Sequence, residues 1–212
     1  MSKYRIGYLD DERGHQNSFY AAFNEEFDVE IIEFDKISSP ADVFIAVEEK
    51  SIELLILDYI LNTNGKSFNA DKIVSEMKGW NRHFPVLIIT SYPNDAFKGL
   101  ENVNIVNYKG DINRGSDNYK LLIVKFEENI KKYKKRLESA YKRINELNNK
   151  KLRESLSIKE EEEYYETYNF LKDIEPSEKT FPPSILTPQT ISTLNDLLNS
   201  TKELINHLKG EK

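Results

Sequence analysis

The sequence contains no cysteine among its 212 residues. Disulfides, thiolate nucleophiles and cysteine-based metal centres are thereby excluded. It also lacks long apolar runs. Stretches such as residues 54–57 and 86–89 are strand-sized, far short of the roughly 20 residues that cross a bilayer. No membrane insertion is expected. The residues after Met1 do not form the apolar core of a secretory signal, so the cytoplasm is the expected location. Glycine and proline are scarce, with 8 and 7 residues, and neither falls between Gly115 and Pro176, which leaves that stretch open to long helices. The three histidines, His15, His83 and His207, are scattered without ligand spacing and point to surface or packing roles.

What the chain does have is charge, unevenly placed. Residues 1–115 carry 12 Lys and Arg against 19 Asp and Glu, whereas residues 116–212 carry 18 against 17. The acidic first part is unsuited to nucleic acid. Within the second part, residues 125–153 hold 11 basic and 4 acidic side chains, and residues 160–178 hold 8 acidic and one basic. Two neighbouring helices of opposite charge are the simplest reading. An apolar content of 39% suffices for a real core.

Over the first 110 residues short β-type apolar runs alternate with amphipathic stretches, the pattern of a parallel sheet flanked by helices. Strands are expected at 4–9, 28–34, 54–57, 85–89 and 103–106, with helical spacing at 16–23, 41–49 and 70–77. A five-stranded, parallel, doubly wound α/β domain follows. From residue 117 the pattern changes. Ile123, Phe126, Ile130, Tyr133, Leu137, Ala140, Ile144 and Leu147 recur at alternating spacings of three and four, a coiled-coil-like seam. Ser155 to Ser157 break the helix before another begins near Lys159. Thr187 and Pro188 then open a last helix that Gly210 closes. The expected organisation is a domain over 1–117, a long heptad-patterned helix over 118–156 and a C-terminal helical hairpin over 157–212, so the tail is all-α. Its seam is expected to pair in parallel with a second copy, and the alternative is a bundle within one chain that covers the same stripe.

In a doubly wound sheet ligands gather beyond the carboxyl ends of the strands. Strand 1 runs into Asp10, Asp11 and Glu12, strand 3 into Asp58, strand 4 into Thr90 and Ser91, and strand 5 into Lys109. Carboxylates, a hydroxyl and an ammonium at one edge are the parts needed to hold a hard cation and move a phosphoryl group. Asp58 is a competent nucleophile once a cation screens its repulsion from an incoming phosphate, with Lys109 and Thr90 placed to neutralise the transferred oxygens.

These residues resemble the receiver family of two-component signalling over roughly residues 1–130. The resemblance implies a flavodoxin-like receiver fold and a response regulator whose Asp58 accepts a phosphoryl group from a histidine kinase or kinase-like ATPase. It implies Mg²⁺ bound by Asp11, by Asp10 directly or through water, by Asp58 and by the carbonyl of Ile60, with Thr90 as switch hydroxyl and Lys109 as phosphate partner. Ile60 and Tyr92 would flank the approach of water and slow the loss of phosphate. The sequence departs from the family pattern in three places. Gly110 replaces the proline usual after the lysine, Val106 takes the usual aromatic switch position, and the loop from Ile60 to Asn69 lacks the usual Leu-Pro or Met-Pro pair. The output is then read by a downstream protein effector through the tail. The alternatives are a phosphorylation-independent scaffold and, less favoured, nucleic-acid binding through the basic helix.

Overall fold

The computed structural model describes residues 3–61 and 69–174. Most of the loop expected after Asp58 and the helix expected from Thr187 lie outside the described residues. In chain order the elements are β1 (Arg5–Leu9), α1 (Arg13–Phe23), β2 (Asp28–Ile32), α2 (Pro40–Glu49), β3 (Leu54–Leu57) and α3 (Ala70–Asn81). They continue as β4 (Val86–Thr90), α4 (Pro93–Gly99), β5 (Val106–Tyr108), α5 (Asp117–Lys151) and α6 (Ile158–Lys172).

The five strands pair in parallel in the order β2-β1-β3-β4-β5. This is the flavodoxin-like doubly wound order, also that of receiver domains, and its direction reverses between β1 and β3. Strand periodicity supplies both faces. Ile6, Tyr8, Leu54, Ile56, Leu87 and Ile89 pack against Phe19 and Phe23 of α1 and against Leu122, Phe126 and Ile130 of α5. The alternate residues Leu9, Leu55, Leu57 and Ile88 pack against α2, α3 and Ala96 of α4. Both faces are covered, which is why residues 54–57 read as a continuous apolar run. Trp80 of α3 stacks on Phe44 of α2 with ring centroids 5.0 Å apart, a packing role.

Two expectations need correction. The fifth strand lies at Val106–Tyr108, not at 103–106. Residues Val103–Ile105 instead form a 3₁₀ turn, whose first residues are tied down by the Asn102 side chain accepting the Asn104 N–H at 3.1 Å. Helix α4, absent from the pattern reading, spans seven residues, too few to show a periodicity, and begins on Pro93, where a proline is pre-set for a first turn.

The described residues form two compact units, divided between Arg136 and Leu137. Helix α5 runs through the division, so its seam is served in two ways. Up to Ile130 the apolar positions belong to the α/β core, and the Tyr133 hydroxyl accepts the Asn81 side chain at 3.0 Å. In the second unit Ile144 and Leu147 pack with Tyr164 of α6. The stripe that motivated pairing with a second copy is thus already largely covered in a single chain.

Opposite charge joins α5 to α6 as the sequence suggested. The Arg143 guanidinium forks onto Glu163, with Nε 2.8 Å from Oε1, and Lys150 meets Glu160 at 2.7 Å. Helix α6 starts with a capping box. The Ser157 hydroxyl accepts the Glu160 N–H, and the Glu160 carboxylate accepts the Ser157 N–H at 2.9 Å. Ser157→Ala should therefore cost the first turn of α6 about 1 kcal/mol. Hydrogen exchange of the amides of Glu160 and Glu161 should quicken about fivefold, with α1 amides unchanged.

Candidate functional site

The ends of β1, β3 and β4 are brought level by register: Leu57 lies opposite both Leu9 and Ile88. The next residues on β1 and β3 are Asp10 and Asp58, which leave the sheet side by side at the point where strand order reverses. Asp10 has no exposed surface and Asp58 is 7% exposed. Two carboxylates so placed repel one another and lose hydration, a cost that needs compensation.

The compensation comes from Lys109, just after β5 and also nearly buried. Its ammonium lies 2.9 Å from Asp10 Oδ2 and 3.0 Å from Asp58 Oδ2. Asp10 is further fixed by the Tyr8 hydroxyl, which donates to Oδ2 at 2.5 Å, and by the Glu12 backbone N–H, which donates to Oδ1 at 2.8 Å. Asp58 Oδ1 accepts its neighbour Tyr59 N–H at 2.8 Å. Burial raises the Asp58 carboxyl above the ordinary aspartate range; Lys109 pulls it back and Asp10 adds to the rise, but burial prevails. Burial, with the Asp10 charge beside it, likewise pushes the Tyr8 hydroxyl far up, which keeps it a donor.

The site opens through a cavity of about 480 Å³ lined by Asp11, Glu12, His15, Asp58, Ile60, Ser91, Tyr92 and Lys109. The structure thus gathers Asp10, Asp11, Asp58, Ile60 and Lys109. Thr90 ends β4 at the same edge and is fully buried, but the cavity wall is made by Ser91 and Tyr92. Its Oγ1 accepts the Tyr92 N–H at 3.1 Å, which orients the side chain and leaves the hydroxyl proton to give.

Gly110 has a local reason. The Tyr108 ring lies against its Cα, and a Cβ there would come within 2.3 Å of the ring.

Two residues at the site were not identified from the sequence. Tyr8 is hidden by its place in an apolar strand. His15, read as a surface or packing residue, stands in the first turn of α1 with Nδ1 3.1 Å from Lys109 Nζ. The available signal was its closeness to the acidic run that ends β1, since a helix starting there turns residue 15 back toward Asp10.

Asp10, His15 and Asp58 each offer a ligand atom, all within 4.8 Å of one another. Asp10 and Asp58 share one ammonium and Asp11 lines the same cavity, so the donor set has the oxygen type and surplus negative charge that suit a hard divalent cation. Among the described residues no helix is long and apolar enough to cross a membrane.

No protein-family model matches the sequence, and no curated protein matches it. Solved structures similar to it include the receiver domain of a two-component response regulator from Bacteroides fragilis. That match has 22% identity and a TM-score of 0.42, covering 62% of this chain and 97% of that one. A receiver domain of a putative LuxO repressor protein from Vibrio parahaemolyticus has 13% identity and a TM-score of 0.41, covering 63% and 94%. RcsB, a response regulator of Salmonella typhimurium, has 12% identity and a TM-score of 0.43, covering 91% and 100%. Likenesses this distant add nothing to what the strand order already establishes about the fold.

The charge balance at Asp58 has a measurable consequence. A carboxyl whose folded pKa lies above its unfolded one makes the native state bind more protons, so stability falls as pH rises from the ordinary aspartate range through the folded pKa. Asp58→Asn, which can keep the bond from Tyr59, should therefore raise the melting temperature in metal-free buffer at pH 7. For a chain this size, 1 kcal/mol corresponds to roughly 2–4 °C. The gain should shrink toward zero below pH 4, and thermal melts across that range check the sign.

Proposed function

We propose that the chain is a response regulator of the receiver type: Asp58 accepts a phosphoryl group from a histidine kinase or kinase-like ATPase in a Mg²⁺-dependent reaction. The signal then passes to a protein effector through the helical tail. The observation that carries this reading is the pair of buried carboxylates, Asp10 and Asp58, clasped by one ammonium at the mouth of a cavity.

The chemistry follows from the placement. A carboxylate oxygen of Asp58 forms the new O–P bond as the P–N bond to the donor histidine breaks, and the imidazole leaves with the electron pair. Lys109 can follow the negative charge from the carboxylates to the transferred oxygens, since its ammonium already touches the nucleophile. The Tyr8 hydroxyl and the Glu12 N–H hold Asp10 in place throughout. Asp10, Asp11, Asp58 and the Ile60 carbonyl would hold Mg²⁺, which when bound supplies the charge screening that lets two anions approach. Thr90, with a hydroxyl proton to give, is the group that would respond to the new phosphate.

Exposure to acetyl phosphate labelled with ³²P should label wild type in Mg²⁺, and neither Asp58→Asn nor chelated protein should take up label. Equal labelling of Asp58→Asn would dispose of the assignment. Absence of label on wild type would favour the phosphorylation-independent scaffold, which Val106 at the aromatic switch position also suggests. The nucleic-acid reading loses ground, because Arg143 and Lys150 of the basic helix are engaged by α6 carboxylates.

Phosphate loss should be slow. Ile60 and Tyr92 line the same cavity as Asp58, and neither side chain can act as a base toward water. Each tenfold in lifetime needs only about 1.4 kcal/mol of barrier, within reach of one excluded or misplaced water. After the donor is removed, label should persist for minutes or longer and decay at least tenfold faster in Ile60→Asn or Tyr92→Glu. Decay within seconds in all three proteins would contradict this.

A further inference from the structure

The Lys109 ammonium has three N–H donors and no lone pair, and three acceptors surround it: Asp10 Oδ2 at 2.9 Å, Asp58 Oδ2 at 3.0 Å and His15 Nδ1 at 3.1 Å. With its proton on Nε2 the imidazole accepts the third N–H at Nδ1, the atom that stands beside the position Asp10 and Asp58 also face. Three ligand atoms from three elements, the end of β1, the first turn of α1 and the end of β3, thus converge on one point already held by a positive charge. The same Nδ1 lies 3.5 Å from Asp10 Oδ1 and from Glu12 Oε2, farther than from the Lys109 ammonium.

We propose that His15 is a direct ligand of the cation bound with Asp10 and Asp58, so that this site favours borderline divalent ions such as Co²⁺ over Mg²⁺. The inference rests on the cation site of the proposed function and deepens it by adding a nitrogen donor. Six-coordinate ions with ligands about 2.1 Å away set neighbouring donors roughly 3 Å apart. Donor atoms within 4.8 Å of one another can therefore close on one ion with small side-chain movements. Oxygen donors alone suit Mg²⁺, whereas imidazole adds affinity for the later first-row ions. His15 has freedom to adjust, since its side chain is 38% exposed at the start of a helix. The resident ammonium must move aside for an ion to enter, and the cavity in front of Asp58, which Lys109 also lines, gives it room toward the incoming phosphate.

Calorimetric titrations with CoCl₂ and MgCl₂, and pulsed electron paramagnetic resonance of the Mn²⁺-loaded full chain, test this. Wild type should bind Co²⁺ at least tenfold more tightly than Mg²⁺, and bound Mn²⁺ should show a directly coordinated nitrogen. In His15→Ala and His15→Asn the Co²⁺ affinity should fall at least tenfold, the Mg²⁺ affinity should change less than threefold, and the nitrogen coupling should vanish. A coupling that persists in both variants, or an unchanged Co²⁺ to Mg²⁺ ratio, overturns the assignment of His15. Asp58→Asn separates this from the underlying reading: loss of both metals supports the common site, while binding equal to wild type would overturn the cation site itself. Far-UV circular dichroism of each variant confirms that the fold is kept.

Discussion

The ammonium of Lys109 between Asp10 and Asp58 is the interaction on which the site depends. The register of β1 against β3 forces those two carboxylates together at the strand-order reversal, where neighbouring chain buries both. Without a cation among them the arrangement would be self-repelling, and breaking a buried pair costs about 3–5 kcal/mol through the charge left behind. A 3₁₀ turn at Lys109–Asp111, directly after β5, carries this ammonium at the sheet edge. New charge arriving at Asp58 would alter the balance that Lys109 sets between the two carboxylates.

The tail follows a different economy. Helix α5 completes the α/β core with Tyr119, Leu122, Phe126 and Ile130, and its later turns build a second, smaller cluster with α6. Charge pairing across α5 and α6 uses forked and capping-box geometry. These pairs are still partly exposed and contribute modest stability individually, so their main effect is to fix which faces of the two helices meet. The buried Tyr164 ring, with Ile144 and Leu147, is what holds the pair together.

The fold was legible where the pattern is long. Strands β1 to β4 show as apolar runs because both sheet faces are covered, and α5 shows as a heptad because it has 35 residues over which a period can emerge. The fifth strand, only three residues long, reads three residues too early, and α4, with seven residues, escapes the pattern for lack of length. The seam illustrates a subtler limit. Its spacing announces a helix with one apolar side, yet the same spacing serves a second copy, an α/β core or a neighbouring helix equally well.

Sequence alone determined the list of chemical groups at the sheet edge: Asp10, Asp11, Asp58, Thr90 and Lys109 follow from strand ends, because a parallel sheet has only one edge to which they can point. Tertiary structure decided what those groups do to one another. It made Asp10 an anchored partner by aiming the Tyr8 hydroxyl at it, set Thr90 behind a wall of Ser91 and Tyr92, and turned His15 from an unremarkable helix residue into a neighbour of Lys109. Distances between side chains on different elements depend on register, helix phase and burial together, and no local pattern in the chain encodes them.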